Sequence, residues 1–340
     1  MMRSGRRTVA ILASAVAVLL VAEVGARGLD GRLPSTVRWG TPEADKKVAQ
    51  MTALSHRGGV DVAFVGSSVV RTGVEPDVVT SVLGPSVTAY DAGLTASIPR
   101  LTEPWTLDVV LPRLHPKLLV IGLTSYDLDA NPPERTSFYD AFADSPEGRH
   151  VLGRSDLVED ADLWLAHHST LWADRTALRS PSDLLGALRG DPLAADPNVD
   201  GMKANGRNAY AEDQRFEDRD QSAGGVPVRD WALGTDDQAA LERLVRGAQA
   251  AGTRVALVDM PVTDEYVAKH PHGEADYDTF LVALRGIAST LGVPLVELDK
   301  MRNHRFFVDE IHLGRVGAET FTTKLLGALG AFGALDGLQG

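Results

Sequence analysis

Five short apolar runs constrain this chain more than any other feature. They are VDVAFVGSS (Val60–Ser68), SVTAYDAG (residues 86–93), KLLVIGLTS (117–125), TRVALVDMP (253–261) and VPLVEL (293–298). The first four end at Gly, Ser or Pro and the fifth runs into Glu297-Leu298-Asp299, and helical periodicity follows. EPDVVTSVLG offers Pro76 for a first helical turn and Gly84 for its end. TDDQAALERLVRGAQAAG, EADYDTFLVALRGIASTLG and GAETFTTKLLGALGAF read as longer helices. Short runs that are apolar on both faces are strands covered on both sides. Strands of that kind alternating with helices make parallel βαβ units. The expected fold is therefore α/β: a three-layer, doubly wound, mostly parallel sheet of five strands.

The alternation breaks off between the third and fourth runs. Residues 128–233 are Asp-rich and carry Pro and Gly, and they read as an insertion. Within them SDLVEDADLWLAHHSTLWADRTALR keeps helical spacing, which puts Leu157, Ala161, Trp164, Leu171 and Trp172 on one broad face, read as a packing face. Residues 188–230 read as a long loop.

The N-terminus has a different character. Arg3, Arg6 and Arg7 precede an apolar run from Val9 to Ala22 that has no polar face, and Arg27 closes it. Thr8 to Ala26 is long enough to span a bilayer, with Glu23 near the interface. The preceding arginines predict the N-terminus inside and the rest of the chain outside. The alternative is a cleaved signal, with Val24-Gly25-Ala26 as its site. The expected organisation is a signal-anchor over 1–27, a juxtamembrane linker over 28–58 with one short helix, and a catalytic domain over 59–335 that carries the insertion. A net charge of −12, with no basic run beyond the N-terminus, argues against a nucleic-acid partner. The absence of cysteine removes thiolate catalysis and cysteine-bound zinc.

Ligands of such sheets bind at the carboxyl ends of the strands, so the chemistry should sit in the strand-to-helix turns. Gly66-Ser67-Ser68 follows the first strand and presents a serine at that edge. This is not the G-x-S-x-G elbow, because Val70 stands where the last glycine would be. Asp309-x-x-His312 follows the fifth strand. Three residues of separation allow the carboxylate to reach imidazole Nδ1, leaving Nε2 for a serine. Alone, either segment reads as a capped turn. Together they lie on one edge of one sheet. Arg71 is a candidate for holding an anionic substrate or for pairing with Glu75 or Asp77. Asp127 is a candidate for binding substrate or local amides. His270, His272, Glu274 and Asp276 read as an exposed loop rather than a metal cluster.

The order of these segments resembles the SGNH/GDSL hydrolase superfamily. FVGSSVVRTG is similar to its first block, YDAGLTAS to its second and DEIHLGRVGAE to its last. The resemblance implies a flavodoxin-like α/β/α sandwich, with Ser68 as nucleophile, His312 as base and Asp309 as its orienting carboxylate. It also implies an oxyanion hole built from the amides of Ser68 and Gly93. The third block normally reads Gly-x-Asn-Asp; here it is Gly122-Leu123-Thr124-Ser125, so a hydroxyl of Thr124 or Ser125 would have to replace the missing amide side chain. The N-terminal apolar segment and long insertion look most like membrane-attached envelope members, such as alginate O-acetyltransferase-like proteins and the D-alanyl transfer protein of lipoteichoic acid synthesis. That likeness implies esterase or O-acyltransferase activity on an acylated glycan or other ester outside the cytoplasm, without a cofactor, and with a membrane acyl-donor protein as partner. The alternative is an inactive SGNH-fold protein that binds or assembles glycans.

Overall fold

The computed structural model describes residues 2–131, 135–208, 216, 228, 230–298 and 301–338. It contains one sheet of five strands: β1 (Val62–Gly66), β2 (Ala89–Asp91), β3 (Leu118–Leu123), β4 (Arg254–Asp259) and β5 (Leu295–Glu297). Their order is β2-β1-β3-β4-β5, and all four pairings are parallel. The fold is therefore the expected α/β class. The strands are apolar on both faces because both faces are covered: Val62, Ala63, Phe64 and Val65 of β1 have no exposure. Helices Ser68–Gly73, Pro76–Leu83 and Arg315–Ala331 pack together as one layer. The helical stretch from Pro99 to Leu114 packs with helices Thr235–Ala250 and Glu274–Leu291 as the other. Right-handed crossovers demand this division, since the chain first steps from β1 to β2 and then reverses toward β3, β4 and β5.

That reversal opens a crevice between the ends of β1 and β3. The last pair in register there is Gly66 and Gly122. Gly66 has φ +148, and a Cβ on it would lie 2.4 Å from the Gly122 carbonyl oxygen and 2.5 Å from Val70 Cγ2. Both the backbone angle and the space thus demand glycine. Gly66→Ala should cost about 3 kcal/mol or more, from strain and overpacking together. Chemical denaturation would measure it, and wild-type stability of the variant would contradict this account of the turn.

By contacts, the chain forms two compact units: Met1–Pro42 with Asp144–Asp196, and Glu43–Ala143 with Pro197–Gly340. The second unit holds the whole sheet. It also takes in most of the helix Pro42–Ser55, a stretch read from sequence as polar linker. Glu43, Lys47 and Met51 fall on one face of that helix at i, i+4 and i+8, and all are buried. The insertion is divided too. Residues 144–196 belong to the first unit, and 197–208 pack into the second. Most of the stretch read as a long loop over 209–229 lies outside the described residues.

In the first unit, the helix Met2–Leu29 includes the span Ile11–Leu29, with mean hydropathy 1.8 and only 6% of its length buried. Its length and composition suffice to cross a bilayer. The segment 155–179 forms three short helices, Leu157–His168, Thr170–Ala173 and Arg175–Arg179, rather than one. The second and third each begin just after a residue that ends the previous helix, Ser169 and Asp174. Ser169 is extended and accepts the Trp172 amide on its hydroxyl. The expected packing face is also corrected: Leu157 and Trp164 point outward.

Candidate active site

Ser68 begins its helix two residues after β1 ends, so the sharp turn at Gly66 sets it at the sheet edge. The loop after β2 is tied to the same edge, where the Ala92 amide donates to the Phe64 carbonyl (2.8 Å) and the Leu94 amide to the Gly66 carbonyl (3.0 Å).

Asp309 and His312 occupy the loop before the last helix. One oxygen of Asp309, Oδ1, accepts the amides of Ile311 (2.9 Å) and His312 (2.8 Å), which closes the turn. The other, Oδ2, lies 2.7 Å from His312 Nδ1. The far side of the ring, Nε2, lies 2.8 Å from Ser68 Oγ. With Nδ1–H donating to the carboxylate, Nε2 is left to accept from the serine hydroxyl. Burial pushes Asp309 up, but the charge and ring hydrogen bond of His312 and the two amides outweigh it and hold the carboxyl at about 2. The loop is braced from β4: Thr263 donates both its amide (3.0 Å) and its hydroxyl (3.1 Å) to the Glu310 carbonyl. Glycine permits close seating on the last helix, since a Cβ at Gly317 would lie 2.0 Å from the Phe306 carbonyl oxygen.

The other expected site residues are engaged elsewhere. The Gly93 amide donates to Asp91 Oδ1 at 2.8 Å. Thr124 Oγ1 and the Thr124 amide both donate to Asp127 Oδ2, at 2.9 and 2.7 Å, which caps the turn after β3. Asp127 is thus a buried group that holds the Thr124 amide and hydroxyl, the local arm of the two expected for it. Ser125 Oγ lies 2.8 Å from Tyr266 Oη and 2.9 Å from His270 Nε2, with no exposure. In this structure both hydroxyls are engaged within the fold. The partner of Arg71 is neither Glu75 nor Asp77; its Nη1 meets Glu43 Oε1 at 3.4 Å and Asn198 Oδ1 at 3.0 Å.

Two buried groups escape a reading by motif. Lys47 is fully buried; its Nζ donates to the carbonyls of Asp91 (2.7 Å) and Gly206 (2.9 Å) and lies 3.7 Å from Asp91 Oδ1. Burial pushes Asp91 up to about 6, against the opposing pull of Lys47, the Gly93 amide, Arg71 and Arg207. Glu43, one turn before Lys47, accepts the Thr95 amide at 3.0 Å. One helix face therefore holds the loop after β2 at two points. The second group is His270, read as part of an exposed loop. It is buried against Ser125, and its Nδ1 faces the Val267 carbonyl at 3.1 Å. Burial lowers its pKa and favours the neutral ring, with Nδ1–H donating to that carbonyl. In the sequence, Lys47 shows only as the middle of a Glu43-Lys47-Met51 stripe, and His270 only as one member of an acid- and histidine-rich loop.

No protein-family model matches the chain, and no curated protein matches it in sequence. Solved structures do. A GDSL-like lipase from Bacteroides thetaiotaomicron VPI-5482 is 12% identical, with a TM-score of 0.41 over 85% of this chain and 99% of that one. A carbohydrate acetylesterase from Sinorhizobium meliloti is 9% identical, with a TM-score of 0.40 over 80% and 99%. An acetyl xylan esterase is 13% identical, with a TM-score of 0.41 over 79% and 100%.

Proposed function

We propose that this chain is a serine esterase or O-acyltransferase of SGNH type. It acts on acyl esters of a cell-envelope or extracellular polysaccharide and is anchored by its N-terminal helix, with the catalytic unit outside the cytoplasm. What carries this reading is the unbroken row from Asp309 Oδ2 through the His312 ring to Ser68 Oγ, at 2.7 and 2.8 Å. Such a row activates a hydroxyl that is otherwise a weak nucleophile.

In this reading Ser68 Oγ attacks the ester carbonyl carbon while Nε2 of His312 takes the hydroxyl proton. The C–O bond to the alcohol breaks, and His312 returns the proton to the leaving oxygen. Water or a sugar hydroxyl then attacks the acyl-enzyme, with His312 again accepting the proton, and the acyl group leaves Ser68 as His312 returns that proton to Oγ. Asp309 stays ionised and stabilises the imidazolium. The Ser68 amide, in the first turn of its helix, is the proposed oxyanion donor. The Gly93 amide joins it once it leaves Asp91. Arg71 is the proposed contact for an anionic part of the substrate, which would compete with Glu43. A membrane protein that supplies the acyl donor is the proposed partner for the transferase form of the activity.

The test is covalent. A fluorophosphonate should add to wild-type protein at Ser68, and Ser68→Ala should not react. Wild type that stays unlabelled, or a variant that labels equally, removes Ser68 as nucleophile.

A further inference from the structure

The first unit turns apolar side chains outward on two separate helices. Leu157, Ala161 and Trp164 recur at i, i+4 and i+7 on one face of the helix Leu157–His168. Leu157 is 87% exposed, its neighbour Val158 77%, and Trp164 59%. On the helix Pro181–Arg189, Leu185 is 49% and Leu188 62% exposed. The acidic groups of the first helix are paired with neighbouring helices instead: Glu159 with Arg149, Asp160 with His150, and Asp162 with Arg175. Large apolar groups held outward in this way mark a surface meant to be covered.

What covers it follows from where these helices are fastened. The Glu23 carboxylate accepts the Ser169 hydroxyl (2.7 Å) and the amides of Thr170 (3.1 Å) and Leu171 (3.1 Å), so it caps the helix that starts there. Leu29 and Leu33 pack with Ala177, Leu178 and Ala187. Thr36 Oγ1 donates to the Ala173 carbonyl. Every one of these ties is made to the last turns of the apolar helix or just beyond it, at the end where that helix would leave hydrocarbon. Trp164 and Trp172, both exposed, flank this fastening point in sequence, five residues before Ser169 and two after Thr170. Indoles settle at the headgroup boundary with ring in and N–H out. The N-terminal helix itself exposes large apolar side chains from Ile11 to Val24.

We propose that residues 157–189 form a collar resting on the bilayer from which the N-terminal helix emerges, with Leu157, Val158, Trp164, Leu185 and Leu188 dipped into the lipid. This rests on the anchor reading above. Asp156, Glu159, Asp160 and Asp162 crowd the first collar helix, so attachment comes from apolar insertion and not from attraction to anionic lipid.

The experiment uses the full chain reconstituted into phosphatidylcholine vesicles that carry bromine near the headgroup end of the acyl chain, read by tryptophan quenching. The N-terminal helix has no tryptophan, and Trp39, Trp105 and Trp231 are buried. Quenching should therefore be strong in wild type, lose its larger part in Trp164→Phe, and fall in Leu188→Glu, an exposed site where folding is unaffected. If the chain floats with vesicles yet Trp164→Phe quenches like wild type, the collar is wrong and the anchor stands. If the chain does not float with vesicles, both are wrong.

Discussion

His312→Ala should abolish hydrolysis of an aryl acetate, a loss on the order of 10⁴–10⁶ in kcat if the three residues act as one unit. The variant should still fold, because the ring is partly exposed and its removal leaves the Asp309 turn closed by two amides. The comparison that matters is kcat against KM. A base acts on the proton in flight and should move kcat alone, whereas a group that only shapes the pocket would raise KM. Turnover by wild type that survives in the variant would remove His312 as base. The glycan-binding alternative predicts no turnover in either protein, so measurable wild-type activity that depends on His312 also excludes it.

Lys47→Met should be the most damaging change far from the motif residues, at about 3–5 kcal/mol near pH 7. It strands Asp91 as a buried carboxylate whose Oδ2 already has no hydrogen-bond donor among the described residues. The pH dependence separates this from ordinary loss of packing. A carboxyl raised by burial contributes its full stability below the usual carboxylate pKa, and that contribution is lost as pH rises through its folded value. For Asp91 that value is already about 6 with Lys47 in place, and removal of the cation moves it higher. The deficit of the variant measured by urea denaturation should therefore shrink between pH 7 and pH 5. An equal deficit at both values would mean that the charge of Lys47 is not what matters.

The sheet was legible because strands covered on both faces must be apolar, and β1, β3 and the Val255–Val258 centre of β4 are. Asp309 and His312 were legible because their contact closes over three residues and needs no knowledge of the rest of the fold. The surroundings of the site were not. Thr124 and Ser125 stand at the expected positions, yet their hydroxyls face Asp127, Tyr266 and His270, and the last two come from a segment about 140 residues later. Arg71 pairs with Glu43, 28 residues upstream in a stretch that reads as linker. Partner choice among buried polar groups is settled by tertiary placement, which single-chain spacing does not encode. The outward face of the helix Leu157–His168 failed for a related reason. Periodicity finds an apolar stripe but does not say what lies against it.

The bond between Ser68 and His312 joins residues 244 apart in the sequence. The serine stands in the first strand-to-helix turn of the sheet and the histidine in the loop that follows the last strand. On the proposed roles, a growing chain carries its nucleophile from early on, but an unarmed one, because any product ending before Asp309 lacks both the proposed base and its orienter. The proposed acyl transfer then becomes available only when the final loop docks onto a sheet already closed by β5. Activity regained on refolding should therefore appear with the slowest phase that forms the sheet, since long-range pairing of this kind is the last to be completed.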